Sequence, residues 1–316
     1  MKNVKFPGVM HNFMLEEKKI RTFDDLSEIE LKEKAAVGKI TTMTLSYLGG
    51  ELVKKGFEWM LPVVLSKVTD PLWPDPQKSI EQRLEVEIYG EKVSVTMSMI
   101  VHKVIACSLL YEKLFIFSPN IRIEQRWRSS TGMHSYEFTQ LDFEMRGRIS
   151  EEVMDLVEGL LCGLTAHIKK GCSEELETLE RDLPVLRGPF EVFDCSEPDV
   201  CECPYWLVNM PREFYDFEDF DSGRWDNFDL MIPGYGEILS GSRREYEHKK
   251  LINKMARDGV HAESYKTLLK LSREERLKPT AGAGIGVERL LRFLTGKKIM
   301  WDVQVFPRIP GEVGEL

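Results

Sequence analysis

The sequence predicts an α+β domain in which helices flank an antiparallel sheet. A helical pattern begins the main part of the chain, several stretches of alternating apolar and polar residues follow, and helical patterns end it. Strands alternating with helices would instead indicate βαβ units and a parallel sheet. With 316 residues, 42% of them hydrophobic, the chain can bury a sizeable core. We expect one domain over residues 26–316, preceded by an N-terminal extension over residues 1–25.

The first part of this domain is predicted to hold a long helix, a strand, a hairpin and a shorter helix. Apolar residues recur at helical spacing over residues 26–60, and Pro62 ends the helix or marks a strand edge. The letters VVL that follow predict a buried strand. Alternating residues on both sides of a turn at 89–92 predict a hairpin over 84–97. A helix is expected over 99–111.

A second and longer hairpin is predicted from "LFIFSPNIRIEQ" and "YEFTQLDFEMRG". Because side chains alternate faces along a strand, its polar residues should share one face. These polar residues are Arg122, Glu124, Gln140, Asp142 and Glu144, and Phe138 shares a face with Gln140. A solvated outer face would explain this charge, but a ligand with both phosphate and ammonium groups explains it better.

The second half is predicted to begin with an amphipathic helix over residues 150–170, with Ser150 as its N-cap. Residues 171–204 resemble an irregular insertion. Three strands follow in "YWLVNMP", "FDLMIP" and "YGEILSGSRRE". Helices are expected over 245–257 and 261–276, and a last helix after "TAGAGIGVERL".

Two further groups of charged residues are candidates for a site. Asp229 and Glu237 lie on adjacent strand segments, and Mg²⁺ is the usual cation that joins two carboxylates near phosphates; the alternative is two exposed acids. Arg243 and Arg244 alternate faces, so one should point inward, where it could bind a carboxylate. Arg289 follows a glycine-rich run that suits either phosphate binding or close packing of a helix on a sheet.

Composition excludes several classes of protein. The net charge is −9, whereas proteins that grip nucleic acid through phosphates usually have a basic domain. Cys195, Cys201 and Cys203 lack the paired spacing of a zinc site, so we interpret them as reduced thiols. No apolar run approaches the length of a membrane span. We therefore expect a cytoplasmic protein with no membrane partner.

Four stretches, in order, resemble the class II aminoacyl-tRNA synthetases of the aspartyl, asparaginyl and lysyl subgroup. They are "GFEWMLPVVL", "NIRIEQ…HSYEFTQLDFEM", "GEILSGSRRE", and "GAGIGVERLLRF" with the later "FPR". The resemblance implies that residues 26–316 form a catalytic domain with an antiparallel sheet of six or seven strands. It also implies a homodimer, with ATP and Mg²⁺ as cofactors.

The resemblance implies a role for each residue of the nucleotide site. Arg122 would hold the α-phosphate of ATP, and Glu124 would contact the adenine amino group. Phe138 would stack on the adenine, with Arg289 on its other face and near the γ-phosphate. His134 would lie in a loop over the phosphates. Arg122, His134 and Arg289 are thus the catalytic candidates.

The metal and the amino acid are placed by the same resemblance. Asp229 and Glu237 would carry Mg²⁺. Lys103 stands where the aspartate-specific branch has the lysine that binds the side-chain carboxylate, and Arg244 matches the second cation. Two cations around one carboxylate favour aspartate over asparagine. The residues expected to bind aspartate are Lys103, Gln140, Asp142 and Arg244, with Asp142 on the ammonium group.

Three departures from the family lead to a narrower interpretation. The stretch before the first motif is too short for an anticodon-binding OB-fold, so we expect tRNA binding to be unlikely. Ile100 replaces the glutamine that binds the ammonium group, and Met133 replaces an arginine beside the histidine. The pattern resembles the archaeal asparagine synthetases related to asparaginyl-tRNA synthetase. That family implies the reaction of aspartate, ATP and ammonia to asparagine, AMP and pyrophosphate through β-aspartyl-adenylate.

Two alternatives remain open. The first is a truncated ligase that charges tRNA or another carrier. The second is a non-catalytic relative that acts as a sensor or scaffold, which would predict broken phosphate ligands. Because no cysteine nucleophile follows Met1, we expect free ammonia rather than glutamine as the nitrogen source.

Overall fold

The computed structural model describes residues 25–72, 80–195, 198 and 201–314. The predicted extension over residues 1–25 lies outside them except for its last residue. The helices are α1 Glu28–Lys54, α2 Ile100–Leu109, α3 Ser150–Gly171, α4 Ser173–Thr178, α5 His248–Asp258, α6 Lys266–Arg273 and α7 Val287–Thr295. The strands are β1 Glu58–Trp59, β2 Leu65–Ser66, β3 Ile80–Gln82, β4 Glu85–Ile88, β5 Glu91–Val95, β6 Lys113–Ile121, β7 Ile123–Glu124, β8 Glu137–Arg146, β9 Glu191–Asp194, β10 Tyr205–Val208, β11 Glu218–Asp219, β12 Arg224–Trp225, β13 Asn227–Ile232, β14 Gly236–Arg243 and β15 Thr280–Gly286.

An eight-stranded sheet is the centre of the fold, in the order β1-β6-β8-β15-β14-β13-β10-β9. Its inner neighbours are antiparallel, and only the edge pairs β1·β6 and β9·β10 are parallel. Helices cover this sheet, as the α+β prediction requires, and the prediction is confirmed.

The two faces of the sheet differ in chemistry, as β8 illustrates. Leu141 and Phe143 belong to the main apolar core, together with residues of α1, α3 and α7. Because side chains alternate along a strand, Gln140, Asp142 and Glu144 point to the other face. On that face α2 packs against β6 through a separate small apolar cluster. The polar face of the predicted long hairpin is therefore enclosed rather than solvated.

The central strand β15 is not predicted by the sequence pattern. Its glycines leave room for neighbouring groups of β8. The stretch "TAGAGIG" has no alternation of apolar and polar residues, and glycine is depleted in ordinary strands. A Cβ atom on Gly282 would clash with the Phe143 carbonyl and the Glu144 carboxylate. On Gly284 it would lie 3.0 Å from Asp142 Oδ1. Glycine here marks a close approach of neighbouring groups rather than a turn.

Three smaller predictions are wrong in detail. The VVL stretch is no buried strand, since β2 begins at Leu65 and Leu65 is exposed. Ser150 is the first residue of α3 rather than its N-cap, and its hydroxyl donates to the Asp226 carbonyl. Residues 171–204 are not wholly irregular, because they contain α4 and β9. Among the described residues, no helix is long and apolar enough to cross a membrane.

Candidate functional site

Two adjoining cavities lie over the polar face of the sheet, with volumes of about 280 Å³ and 130 Å³. Ten of the eleven residues predicted for a site line one or both of them: Lys103, Arg122, Glu124, His134, Phe138, Gln140, Asp142, Glu237, Arg244 and Arg289. Asp229 lines neither, because Arg212 lies against its carboxylate.

The larger cavity has two ends of different charge. Its arginine end, which it shares with the smaller cavity, is lined by three cations and two carboxylates, namely Arg122, Arg128, Arg289, Glu124 and Glu237. Its carboxylate end is lined by Lys103, Arg244, Asp70, Asp142, Glu213 and Asp216, and the cavity is also lined by Arg212, which is paired with Asp229. The cavity therefore offers one end to an anionic group and the other to a zwitterion or cation.

Lys103 lies at the carboxylate end, on α2, and is completely buried. Its ammonium group donates to Asp142 Oδ1 at 2.8 Å and to the Ala283 carbonyl at 2.9 Å. Glu144 is 3.8 Å away. The Ser118 hydroxyl donates to the other oxygen of Asp142 at 2.8 Å. Asp142 is thus held between two donors, and one N–H of Lys103 remains outside these two hydrogen bonds.

Arg244 is more fully engaged than Lys103. Its side chain donates to Glu144, to Asp216 at 3.0 Å, to the Ser242 hydroxyl at 2.6 Å and to the Gly282 carbonyl at 2.9 Å. Burial alone would lower the pKa of Arg244, but the two carboxylates outweigh it and the pKa is raised. All five N–H donors of this guanidinium have acceptors within the protein.

Three acidic residues of the carboxylate end were missed by the sequence analysis: Asp70, Glu213 and Asp216. They come from two segments that are distant in sequence and meet only in the fold. Burial, with Asp70 and Asp216 nearby, raises the pKa of Glu213 to about 8. The sequence feature that could have indicated Glu213 and Asp216 is a run of acidic and aromatic residues, "EFYDFED", which contains no known motif.

A Glu213→Gln variant should be more stable than the parent, and more so at high pH. The pKa of Glu213 is higher in the folded chain than in the unfolded chain, so the parent loses stability as pH rises from about 4.5 to 8. We expect a gain of roughly 1–3 kcal/mol in the free energy of unfolding at pH 8.5, falling toward zero near pH 4.5. Urea denaturation at both pH values measures it. An equal gain at both would contradict the raised pKa.

The arginine end combines aromatic and cationic groups. The Arg122 guanidinium lies 5.2 Å from the centre of the Phe138 ring, and its Nε donates to the Met97 carbonyl at 3.1 Å. Arg128 forms an ion pair with the buried Glu124 at 2.7 Å. Burial raises the pKa of Glu124, although Arg128 and Arg122 oppose that effect.

The hairpin is interrupted at Arg122, contrary to the continuous strand that the sequence predicts. Pairing between β6 and β8 ends at Ile121 and Glu137, and β7 pairs with β3 instead. His134 follows a 3₁₀ turn over Arg126–Thr131. Burial first, then the nearby arginines, lowers its pKa to about 3. The imidazole is therefore neutral at physiological pH.

Each carboxylate of the predicted metal pair has an arginine partner. Arg212 donates to Asp229 Oδ2, and Arg289 donates to Glu237 Oε1 at 2.9 Å. Asp229 Oδ1 is buried and accepts no hydrogen bond in the described part of the chain. Burial raises the pKa of Asp229 to about 6. No third Asp, Glu, His or Cys completes a metal-binding group among the residues described. Two carboxylates suit Mg²⁺, which usually takes its other ligands from phosphates and water.

A family model of the class II tRNA synthetases (D, K and N) matches residues 77–310. The chain belongs to this family. The predicted resemblance is confirmed at that level. The match runs from β3 to the segment after α7 and contains every residue that lines the two cavities except Asp70 and Leu72.

Individual relatives point to the same subgroup. The chain is 26% identical over 314 residues to the aspartate–tRNA(Asp/Asn) ligase of Methanopyrus kandleri, covering 89% of this chain and 69% of that protein. It is 28% identical over 279 residues to the asparagine–tRNA ligase of Syntrophobacter fumaroxidans, covering 75% of this chain and 59% of that one. The chain thus spans between about three fifths and seven tenths of these relatives.

Solved structures agree on the fold. Asparaginyl-tRNA synthetase from Pyrococcus horikoshii, complexed with asparaginyl-adenylate, superposes with a TM-score of 0.77 at 20% identity, covering 92% of this chain and 74% of that one. The relatives are named as tRNA ligases, so the comparisons do not support the expectation that tRNA is no partner.

Proposed function

We propose that the protein activates aspartate with ATP and Mg²⁺ as an acyl-adenylate and transfers the acyl group to tRNA. The uneven distribution of charge along the larger cavity is the observation that supports this most, since Arg122, Arg128 and Arg289 gather at one end and acidic residues gather around Lys103 and Arg244 at the other. An anionic triphosphate suits the arginine end. The amino acid suits the other end, where cations and carboxylates alternate.

The arginine end has the groups that an adenylation reaction needs. Phe138 offers an aromatic ring for the adenine, and Arg122, which lies over one face of that ring, would contact the α-phosphate. Glu124 would accept a hydrogen bond from the adenine amino group. Arg289 and the neutral His134 would contact the outer phosphates. Such fixed donors stabilise the negative charge on the phosphate oxygens in the transition state without having to reorganise.

Asp229 and Glu237 are the residues that would hold Mg²⁺. The ion neutralises phosphate charge when it is bound, which makes pyrophosphate a better leaving group. Because only two carboxylates are present, the ion would need the nucleotide to complete its coordination shell.

At the carboxylate end, Lys103 would bind the distal carboxylate of aspartate through the N–H outside its two hydrogen bonds, and the fully bonded Arg244 would add a fixed positive charge. Asp142, beside Gln140, would bind its ammonium group. In the first step a substrate carboxylate oxygen attacks the α-phosphorus, and the bond to pyrophosphate breaks. In the second step the acceptor attacks the acyl carbon, and AMP leaves with the electrons of the broken C–O bond.

A second candidate is asparagine synthesis from ammonia, and the saturated guanidinium of Arg244 favours it. With Arg244 fully bonded, the additional carboxylates Asp70 and Asp216 suit an ammonium group at the carboxylate end, where burial raises the pKa of Glu213 to about 8 and keeps it largely protonated at neutral pH. The α-ammonium of aspartate in that position would turn the β-carboxylate toward ATP. Ammonia would then release asparagine from the β-adenylate.

One pair of reactions separates the two candidates. The protein, ATP, Mg²⁺ and radiolabelled aspartate are mixed either with tRNA or with ammonium chloride. The first candidate predicts label in acid-precipitable tRNA. The second predicts free asparagine, and no dependence on tRNA. Formation of AMP in neither mixture would overturn both candidates.

We also propose a homodimer, on the basis of an apolar surface beside α1. Trp59, Leu61, Val64 and Leu65 are 40–80% exposed. Val86 of β4, which joins β2 and β5 in a three-stranded sheet, is also exposed. Exposed apolar residues gathered in this way are typical of subunit interfaces.

A Leu61→Asp variant should shift the protein from dimer to monomer in sedimentation experiments. Leu61 is 80% exposed, so an aspartate costs the isolated chain little but would place a charge inside the interface. Leu110→Asp is the matched control, since Leu110 is 72% exposed on a different element. A parent protein that is monomeric at micromolar concentration would contradict the proposal.

A further inference from the structure

Arg212 is a cavity residue to which no role has been given. It lies in the segment between β10 and β11, and it lines the larger cavity. Its guanidinium donates to Asp229 Oδ2 and to the Ser240 hydroxyl, the latter at 3.0 Å. Burial would lower its pKa, but the Asp229 carboxylate outweighs this and the pKa is raised. Arg212 therefore stays charged.

Asp229 is an unusual partner for such an arginine because it is only half satisfied. Oδ2 is bonded to Arg212, while the buried Oδ1 has no partner with hydrogen-bond geometry within the described residues, although the Ser240 hydroxyl lies near the carboxylate. A buried carboxylate oxygen without a donor is costly to maintain. A cation could relieve that cost, but Arg212 repels a second positive charge at the same carboxylate.

We infer that Arg212 is the internal counter-ion that Mg²⁺ replaces at Asp229. Without nucleotide, the guanidinium neutralises Asp229, as Arg289 neutralises Glu237. When the triphosphate enters, Arg212 turns from Asp229 to the incoming anion, since it already lines the cavity. Asp229 then becomes available to the metal. No covalent bond changes in this exchange.

The exchange couples metal binding to nucleotide binding. It rests on the proposed function, which assigns Asp229 to Mg²⁺. Asp229 and Glu237 bind the metal weakly while Arg212 and Arg289 are paired with them. They bind it more tightly once the two arginines have formed ion pairs with the phosphates instead. The site thereby avoids trapping a metal ion before the nucleotide arrives.

The test is the affinity of the nucleotide-free protein for Mn²⁺, followed by electron paramagnetic resonance. We expect Arg212→Met to bind Mn²⁺ at least about 10-fold more tightly than the parent, because a nearby positive charge is removed. The double variant with Asp229→Asn should lose this gain, which would place the ion at Asp229. Arg243→Met is the matched control, since the Arg243 guanidinium lies 4.0 Å from the Asp226 carboxylate and lines neither cavity. It should leave the affinity unchanged.

Unchanged or weaker Mn²⁺ binding in Arg212→Met would overturn the inference, as would a gain that survives Asp229→Asn. If Arg212→Met does not fold, Arg212→Ser is tested in the same way, and it too should bind Mn²⁺ more tightly. The measurement needs no substrate and no turnover. It can therefore fail while the adenylation reaction is observed, or succeed while that reaction is absent.

Discussion

Lys103→Ala should raise the KM for aspartate by roughly 100-fold or more and leave the dissociation constant for ATP nearly unchanged. The substitution removes the cation that we assign to the distal carboxylate of aspartate, and truncating one partner of a buried charge pair weakens binding by about 2–5 kcal/mol. It also leaves Asp142 and Glu144 without a buried counter-charge, which lowers the stability of the fold. Lys103 lines only the larger cavity, away from Phe138 and His134. The loss should therefore fall on the amino acid. Steady-state kinetics and equilibrium ATP binding measure the two quantities separately.

The control is a lysine on the neighbouring strand that lines neither cavity. Lys113 lies over the Phe57 ring, 5.6 Å from its centre, and donates to the Lys55 carbonyl. Lys113→Ala should change neither constant by more than about twofold. If Lys103→Ala loses aspartate and ATP binding equally, the assignment of Lys103 to the amino acid is wrong. The unfolding temperature of Lys103→Ala must also be compared with that of the parent. Lys103→Arg should yield more folded protein than Lys103→Ala because it keeps the positive charge.

Arg289→Met should lower kcat for aspartate-dependent exchange of pyrophosphate into ATP by about 10²- to 10³-fold. Arg289 lines both cavities and bonds Glu237 through one nitrogen, which leaves other donors for phosphate oxygens. Loss of one fixed donor to the transition state has an effect of this size. The exposed Arg276 serves as the control, and Arg276→Met should retain the parent rate.

The direction of the change in KM tests the role of Arg289 further. A transition-state role predicts a fall in kcat that is larger than any rise in KM for ATP. A rise in KM with unchanged kcat would show that Arg289 only binds the nucleotide. Normal exchange kinetics in Arg289→Met would remove it from the reaction altogether.

The sequence was most informative where apolar and charged residues alternate along a strand, so that each type lies on one face. In β8, Leu141 and Phe143 alternate with Asp142 and Glu144, and the structure places the two pairs on opposite faces. Local alternation is enough to fix which side chains share a face. The hairpin and its charged face could therefore be predicted without knowledge of the rest of the fold.

The charged residues that face the hairpin across the cavity could not be predicted, because they come from segments that are distant in sequence. Arg212 and Asp216 reach the cavity from a stretch without regular periodicity, and Asp70 arrives from before β3. The central strand β15 was missed for a different reason. Phe143 and Glu144 leave no room for a Cβ atom on one of its glycines, and this contact exists only in the assembled sheet. Both failures concern tertiary contacts rather than local propensity.

The carboxylate end of the larger cavity decides which acceptor receives the acyl group. The relatives in the family are tRNA ligases, whereas the saturated Arg244 and the added acids suit aspartate in a reversed orientation. Both readings share one reaction, the transfer of an adenylyl group from ATP to a carboxylate of aspartate. They differ in which carboxylate reacts and in what removes the acyl group.

The shared reaction is tested most directly by the nucleotide product. The protein is incubated with α-³²P-labelled ATP, Mg²⁺ and aspartate, with tRNA in one sample and ammonium in another, and the nucleotides are separated by thin-layer chromatography. We predict labelled AMP that requires aspartate and one of the two acceptors, and that is lost in Arg289→Met. Labelled ADP in place of AMP would contradict adenylate formation.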